Sequence, residues 1–215
     1  MTPPEFSARV LGAIRRRERK AAECFKNATQ AIGRIEPGLS LFGLTRGQFS
    51  MIDLILAALD QVGPARISLW TWCVAEYEVQ CFERLMIDRR VTRALLVIDS
   101  AARQKNRDLL IRWQERNGPE SIRWVVNHAK VATIESPSLR ILIRGSMNLN
   151  YNPRFEQFDL DEGHPGFDLV RQTEDALPIL RFDHHNGEAR TASQIQAAWT
   201  DQDLQPFQTL KTWAK

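Results

Sequence analysis

The sequence predicts an α/β protein in which helices flank a mixed β-sheet, and three observations lead to this fold class. Between residues 64 and 127, segments typical of strands alternate with segments typical of helices. One strand, 94–99, is an almost unbroken apolar run, as in a parallel strand buried on both faces. Two further strand-like segments are separated only by Ser136-Pro137-Ser138, a turn sequence that indicates an antiparallel hairpin. Together these features require both parallel and antiparallel pairs in one sheet.

The first element along the chain is predicted to be an amphipathic helix over 5–33. Its apolar residues recur at steps of three and four, the spacing of one helix face. They are Phe6, Val10, Ile14, Ala21, Phe25, Ala28 and Ile32. Gly33 is expected to end the helix, and Pro37-Gly38 indicates a linker.

A second helix is predicted over 46–61. Thr45 has the chemistry of an N-cap, with Gln48 three residues later as its capping-box partner. Gly63-Pro64 is expected to end this helix. Residues 1–62 are therefore expected to form an N-terminal helical extension.

The central part of the chain, 63–165, is predicted to form the α/β core. Its strands are expected at 66–72, 94–99, 121–127, 131–135, 139–144 and 155–160, and its helices at 74–89 and 101–117. The remainder, 166–215, is expected to be a tail whose helical pieces, 194–199 and 204–213, pack on that core.

Two short motifs with chemical potential frame the predicted hairpin. His128 and Lys130 are two residues apart at the start of a strand, where alternation directs both side chains to one face. Gly145, Ser146 and Asn148 close a later strand and supply a hydroxyl, an amide and backbone N–H groups. A nucleophile, a cation and neutral donors together suit a phosphodiester substrate and need no metal ion.

This pattern resembles the HKD motif of the phospholipase D superfamily, which reads His-x-Lys, four residues, Asp, a short spacer and Gly-Ser-x-Asn. The resemblance extends over about residues 64–163, and the mixed sheet predicted from the residue pattern agrees with the fold that it implies. Glu135 stands where the family has Asp, and the spacer from Glu135 to Gly145 is longer than usual. Glu156 follows the motif, roughly where related nucleases carry a further acidic residue.

The resemblance implies specific roles for these residues. His128 would attack phosphorus and form a phosphohistidine, while Lys130 would bind the phosphate as a point charge. Ser146 and Asn148 would donate to the phosphate oxygens, and Glu156 would orient His128. Possible supporting residues are Glu135, Gly145 and Asn150.

Only one His-x-Lys occurs in the chain. The family mechanism uses a second histidine as general acid, so the resemblance implies a homodimer in which two motifs face each other across a two-fold axis. No cofactor and no metal site are expected, and the pair His184-His185 is interpreted as a surface loop.

Composition adds weak constraints on partners and compartment. The formal net charge of +3 permits nucleic-acid binding without requiring it. The first residues lack a signal-peptide pattern, no apolar run is long enough for a membrane span, and three unpaired cysteines suit a reducing compartment. We therefore expect a cytoplasmic protein that does not bind membranes.

Two functions are favoured at the level of sequence, because a third, an enzyme acting on phospholipids or other phosphodiesters, is disfavoured by the lack of an amphipathic membrane-docking face rich in Lys and Trp. The first is a metal-independent phosphodiesterase, expected to be a nuclease that acts on DNA. The alternative is a catalytically degenerate HKD-like domain that binds DNA or protein. A basic run is a candidate phosphate-binding surface for either function, although a solvated helix face is the commoner explanation of such a run. Its residues are Arg15, Arg16, Arg17, Arg19 and Lys20.

Overall fold

A single mixed β-sheet of ten strands organises the part of the chain described by the computed structural model, residues 8–14, 18–19, 23–25, 27–150 and 152–177. The strands are β1 (Ala8–Ile14), β2 (Glu18–Arg19), β3 (Glu23–Phe25), β4 (Leu39–Arg46), β5 (Ala65–Thr71), β6 (Val91–Asp99), β7 (Ile122–Val125), β8 (Val131–Glu135), β9 (Arg140–Gly145) and β10 (Phe155–Glu162). Their order in the sheet is β2-β1-β4-β10-β9-β8-β5-β6-β7, and β3 also pairs with β1. Strands β5, β6 and β7 are parallel, and the other pairs are antiparallel.

Helices cover both faces of this sheet. They are α1 (Ala28–Ile32), α2 (Met51–Val62), α3 (Glu76–Ile87), α4 (Ala102–Lys105), α5 (Arg107–Asn117) and α6 (Gly166–Ala176), with a 3-10 turn at Pro119–Ser121. One large apolar core joins side chains of α1 to α5 to one sheet face, including the fully buried Leu54, Leu96 and Leu110. On the other face, Leu177 follows α6 and packs near Val97. The predicted α/β class, a mixed sheet flanked by helices, is confirmed.

The prediction of an N-terminal helix over 5–33 is wrong. The described residues there form strands β1, β2 and β3, and only Ala28–Ile32 is helical. The apolar residues Phe6, Val10 and Ile14 are four apart, and this spacing keeps residues on one face of a strand as well as on one face of a helix. Residues 39–46, expected to be a linker, form β4, which pairs with β1 and β10. Residues 39–62 therefore contribute to the same sheet and core as the residues that follow them.

The second helix begins later than predicted. Thr45 lies in β4, fully buried, and its hydroxyl donates to Gln48 Oε1 at 3.0 Å. The N-cap of α2 is Ser50, whose backbone N–H and hydroxyl both donate to the Asp53 carboxylate at 2.7 and 2.8 Å. The predicted pair therefore stabilises the turn before the helix, while Ser50 and Asp53 form the actual capping box.

The predicted core elements are confirmed with small shifts of their ends. Strands β5 to β10 lie where apolar and β-branched residues predicted them, and the helix expected over 101–117 is divided into α4 and α5 at Asn106. Within the described ranges the longest helices have 12 residues, and none is long and apolar enough to cross a bilayer, which needs about 20 residues. The helical pieces expected at 194–199 and 204–213 lie outside the described residues.

Candidate active site

The candidate site lies where the parallel strands β5, β6 and β7 end. At the carboxyl edge of parallel strands, the connecting loops diverge and leave a crevice that commonly binds ligands. Here the chain after β5 meets the loop after β9, because Val74 forms a bridge with Leu149 and Ala75 N–H donates to Leu149 C=O at 3.1 Å. The segment containing His128 follows β7 at the same edge.

Buried polar contacts hold the segment that carries His128. Asp99, at the end of β6, accepts hydrogen bonds of 2.8 Å from the backbone N–H groups of Ala101 and Asn127. The Asn127 side chain donates to Thr71 C=O at 3.0 Å and accepts from Ala129 N–H at 2.8 Å. These bonds join the ends of β5, β6 and β7 and fix the backbone on both sides of His128.

His128 and Lys130 lie in an irregular segment before β8, not on a strand as predicted. His128 is exposed, whereas Lys130 is only 7% exposed. The Lys130 ammonium donates to His128 C=O at 2.6 Å. Burial lowers the pKa of Lys130, and the nearby Cys73 and Glu156 partly offset this effect. This contact joins the ammonium to a backbone oxygen and not to the imidazole, so a turned backbone, and not strand alternation, brings Lys130 to His128.

Ser146 and Glu156 form the second part of the site. The Ser146 hydroxyl donates to Glu156 Oε2 and accepts from Gln157 N–H at 2.9 Å, while Asn152 donates to Glu156 Oε1 at 3.0 Å. Within the described residues, these hydrogen bonds of Glu156 go to Ser146 and Asn152 and not to His128, so the predicted orienting contact is not formed. Glu156 acts on Lys130 electrostatically instead.

Gly145 allows β9 and β10 to approach at this point. A Cβ added at Gly145 would collide with the Gln157 carbonyl oxygen. The close approach lets Ser146 N–H donate to that same oxygen at 3.0 Å, and Gly145 N–H donates to Lys130 C=O at 3.1 Å. Gly145 therefore sets the position of Ser146 next to the Lys130 backbone.

Asn148 and Asn150 face the end of β5. The Asn148 side-chain oxygen accepts from Trp72 N–H at 3.3 Å and from the Thr71 hydroxyl at 3.4 Å. Asn150 Oδ1 lies 3.7 Å from the thiol of Cys73, whose pKa is raised by burial. Both amides therefore hold the loop after β9 against β5, and the Asn148 NH₂ group is the part suited to contact a ligand.

The structure does not bring Glu135 to this site. Glu135 ends β8, four residues beyond Val131, a separation of about 13 Å along a strand. It accepts a hydrogen bond of 3.2 Å from Arg171, which also binds Glu174. The expectation that Glu135 supports His128 is therefore wrong, because strand geometry carries the carboxylate to the opposite end of the sheet.

Only Arg19 of the basic run near the N-terminus lies within the described residues, and it is not helical. Arg19 belongs to the short strand β2, and Arg15, Arg16, Arg17 and Lys20 lie outside the described residues, as do His184 and His185. In the part of the chain that the structure describes, three or more His, Cys, Asp or Glu residues nowhere group as ligands for a metal ion.

Three residues that hold the site are absent from the motif. Thr71, Asp99 and Asn127 come from strand ends and form the hydrogen bonds that position the loops. Asp99 carries a recognisable sequence signal, since it is an acidic residue directly after an apolar strand. Thr71 and Asn127 carry no comparable signal, because polar residues at strand ends most often belong to ordinary turns.

Comparisons with known proteins add little. No protein-family model matches the chain, and no curated protein matches it. Among solved structures it is similar to the crystal structure of polyphosphate kinase from Porphyromonas gingivalis, at 13% sequence identity and a TM-score of 0.43. The match covers 79% of this chain and 28% of the kinase chain, so this chain spans little more than a quarter of that protein. At this distance the similarity assigns neither a family nor an activity.

Proposed function

We propose that the chain is a metal-independent phosphodiesterase of the phospholipase D type, and specifically a nuclease. The observation that carries this proposal is the convergence of an exposed imidazole, a buried ammonium and a hydroxyl–carboxylate pair at one sheet edge. His128, Lys130, Ser146 and Glu156 supply these groups. A nucleophile and a desolvated cation on one short segment suit attack on an anionic phosphodiester.

In the proposed reaction an imidazole nitrogen of His128 attacks phosphorus. A P–N bond forms and the P–O bond to the leaving group breaks. The departing oxygen takes a proton from a second histidine, the partner subunit's His128. Water then attacks the phosphohistidine, the now neutral second histidine accepts the proton of that water, and the P–N bond breaks. Atoms and charges balance without a metal ion.

Neutral and charged donors would stabilise the phosphate oxygens during both steps. Lys130 supplies a positive charge in a partly desolvated position, where each charge acts more strongly than in water. The Ser146 hydroxyl and the Asn148 NH₂ group lie on the loop facing it. Preorganised donors of this kind typically contribute about 2.7–4 kcal/mol each to lowering a barrier.

Exposed apolar side chains beside the site favour nucleic acid over other phosphodiesters. Trp72 is 42% exposed just after β5, and its backbone N–H donates to Asn148 Oδ1. Val126 is 60% exposed and lies two residues before His128. An accessible indole next to a phosphate site is a surface on which a nucleobase can stack, a contact typically worth about 1–3 kcal/mol.

A catalytically degenerate domain that binds DNA or protein is the second candidate. It is favoured by two contacts in which candidate groups bind each other: Lys130 donates to His128 C=O, and Ser146 donates to Glu156. For catalysis, Lys130 and Ser146 must give up these hydrogen bonds and donate to the phosphate of the substrate instead. If it does not, the same edge binds a ligand without cleaving it.

Cleavage in chelator separates the two candidates. Purified protein is incubated with labelled single-stranded and double-stranded DNA in EDTA, and products are resolved on a denaturing gel. If the protein is the proposed nuclease, cleavage is expected to persist in EDTA and to be absent in His128→Ala. Binding without cleavage, by gel shift, would favour the degenerate domain. Cleavage that needs added Mg²⁺ would contradict the proposed mechanism.

A further inference from the structure

A second cavity lies at the opposite end of the parallel strands. It has a volume of about 290 Å³ and lies beside the starts of β6 and β7. Seven polar residues line it: Arg66, Arg93, Asn117, Glu120, Ser121, Arg123 and Asp175. Arg93 and Asp99 are six residues apart on β6, so about 20 Å of strand separates this cavity from the candidate active site.

Three neighbouring strands bring arginines to this cavity. Arg66 on β5 and Arg93 on β6 are direct cross-strand partners. Arg123 lies on β7, and its guanidinium turns back along the chain to donate to Glu120 C=O at 2.6 Å. The three side chains therefore converge on the same opening from separate strands.

These arginines have no carboxylate partner in a salt bridge within the described residues. Arg123 is 9% exposed, and the Nε atoms of Arg66 and Arg123 are buried without a hydrogen-bond acceptor. Burial lowers the pKa of Arg123; the Glu120 carboxylate opposes this effect, repulsion from Arg93 adds to it, and Asp175 and Glu174 oppose it more weakly. A buried guanidinium that a neighbouring arginine repels is stabilised when an anion binds between the two.

An uncharged acceptor completes the cavity. The side-chain oxygen of Asn117 is buried without a hydrogen-bond donor in the described structure, while its NH₂ group donates to Trp113 C=O at 2.9 Å. A hydroxyl group on a ligand would satisfy this oxygen.

We propose that this cavity binds a small phosphate monoester that carries a hydroxyl group. Its phosphate contacts Arg66, Arg93 and Arg123, and its hydroxyl donates to Asn117. Guanidinium groups match phosphate oxygens in geometry and charge, whereas the cavity is too small for a nucleic-acid strand. This site is independent of the proposed nuclease activity.

Isothermal titration calorimetry with inorganic phosphate and ribose 5-phosphate tests the site. Wild type is expected to bind ribose 5-phosphate more tightly than inorganic phosphate. Arg66→Ala and Arg93→Ala are each expected to weaken ribose 5-phosphate binding by about tenfold or more. Asn117→Leu is expected to remove the difference between the two ligands. Arg93 is exposed, so Arg93→Ala is expected to fold normally by circular dichroism.

Two control variants make the outcome decisive. Arg34→Ala alters an exposed arginine paired with Glu36 and is expected to bind as wild type does. Lys130→Met alters the candidate active site and is expected to leave the Arg93-dependent part of this affinity unchanged. Affinity that is lost in Lys130→Met but kept in Arg93→Ala would overturn the proposal, because the phosphate would then occupy the other edge. Equal affinity in Arg93→Ala and wild type would also overturn it.

Discussion

Asp99 Oδ2 accepts the backbone N–H of Asn127 at 2.8 Å, across the two strand ends that precede the His128 segment. The other carboxylate oxygen accepts from Ala101 N–H at the same distance, so one side chain provides acceptors for the backbone N–H groups of two loops. Both Asp99 and Asn127 are more than 90% buried. The position of the exposed His128 therefore depends on a carboxylate that need not touch substrate.

Asp99→Asn is expected to lower kcat about tenfold or more while changing KM little. An amide can accept only with its oxygen, so one of the two N–H groups loses its acceptor and the His128 segment shifts. Steady-state kinetics on a DNA oligonucleotide measure kcat and KM separately. Asp108→Asn, an exposed carboxylate of α5, is the control. A purely structural role would instead lower the melting temperature and leave the kcat of the folded fraction unchanged.

His128→Ala is expected to reduce DNA cleavage by at least about 10³-fold, since it removes the proposed nucleophile. The side chain is exposed, so the free energy of unfolding should change by less than about 0.5 kcal/mol. Urea unfolding and cleavage are measured on the same sample. His164→Ala is the matched control, because His164 contacts Gly166 in the turn before α6. Near-wild-type cleavage by a folded His128→Ala protein would exclude the assignment.

The pH dependence of cleavage reports on Lys130. Burial lowers its pKa from the ordinary 10.5, so the cation is lost at a lower pH than for an exposed lysine. The value of kcat/KM is therefore expected to fall as pH rises through the lowered pKa. In Lys130→Arg the part of this alkaline decrease that Lys130 causes should disappear, because arginine stays charged. An alkaline decrease that is identical in both proteins would assign the titration to another group.

Subunit association is expected to limit activity. The proposed general acid is the partner subunit's His128, so a monomer lacks it. Specific activity should fall on dilution in parallel with the dimer fraction measured by light scattering. Mixing wild type with an excess of His128→Ala should also depress activity below that of wild type alone. Full activity in a monomer would contradict the two-subunit mechanism.

Glu78→Gln is expected to stabilise the protein at neutral pH. Glu78 is 3% exposed on α3, its Oε2 has no partner within the described structure, and burial raises its pKa. A raised folded pKa means that stability falls as pH rises from the ordinary 4.5 through the raised value. The gain in stability of Glu78→Gln should therefore be present at pH 7 and vanish below about pH 4.5. Each kcal/mol gained is expected to raise the melting temperature by about 2–4 °C. Glu115→Gln, an exposed residue, should show no such pH dependence.

The sequence was most informative where periodicity had a single interpretation. The apolar run of β6 and the turn between β8 and β9 specify strands because neither fits an amphipathic helix. Val10 and Ile14 are four apart and fit both periods, so pairing with β4 decides the conformation of β1. In β4 itself, buried Leu39 and Leu41 alternate with less buried residues, but the preceding Pro37-Gly38 indicated a linker.

The sequence indicated which loops meet at the candidate site, but not the contacts that these loops form. His128, Lys130, Ser146 and Asn148 come together because two loops meet at one sheet edge. Their hydrogen bonds depend on residues distant in sequence, such as Thr71, and local spacing contains no information on such contacts. The misplacement of Glu135 has a simple cause, since β8 extends away from the site and carries its last residue with it.

The sheet order has a consequence for how this edge assembles. Glu156 pairs with Thr45, a residue more than 100 positions earlier, because β10 lies between β4 and β9. During synthesis β4 leaves the ribosome long before β10 has been made. Pairing the two strands closes a long loop, which costs conformational entropy before any contact offsets it. The carboxylate beside Lys130 thus takes its place late in folding. A chain interrupted before β10 holds the histidine segment without its acidic counterpart.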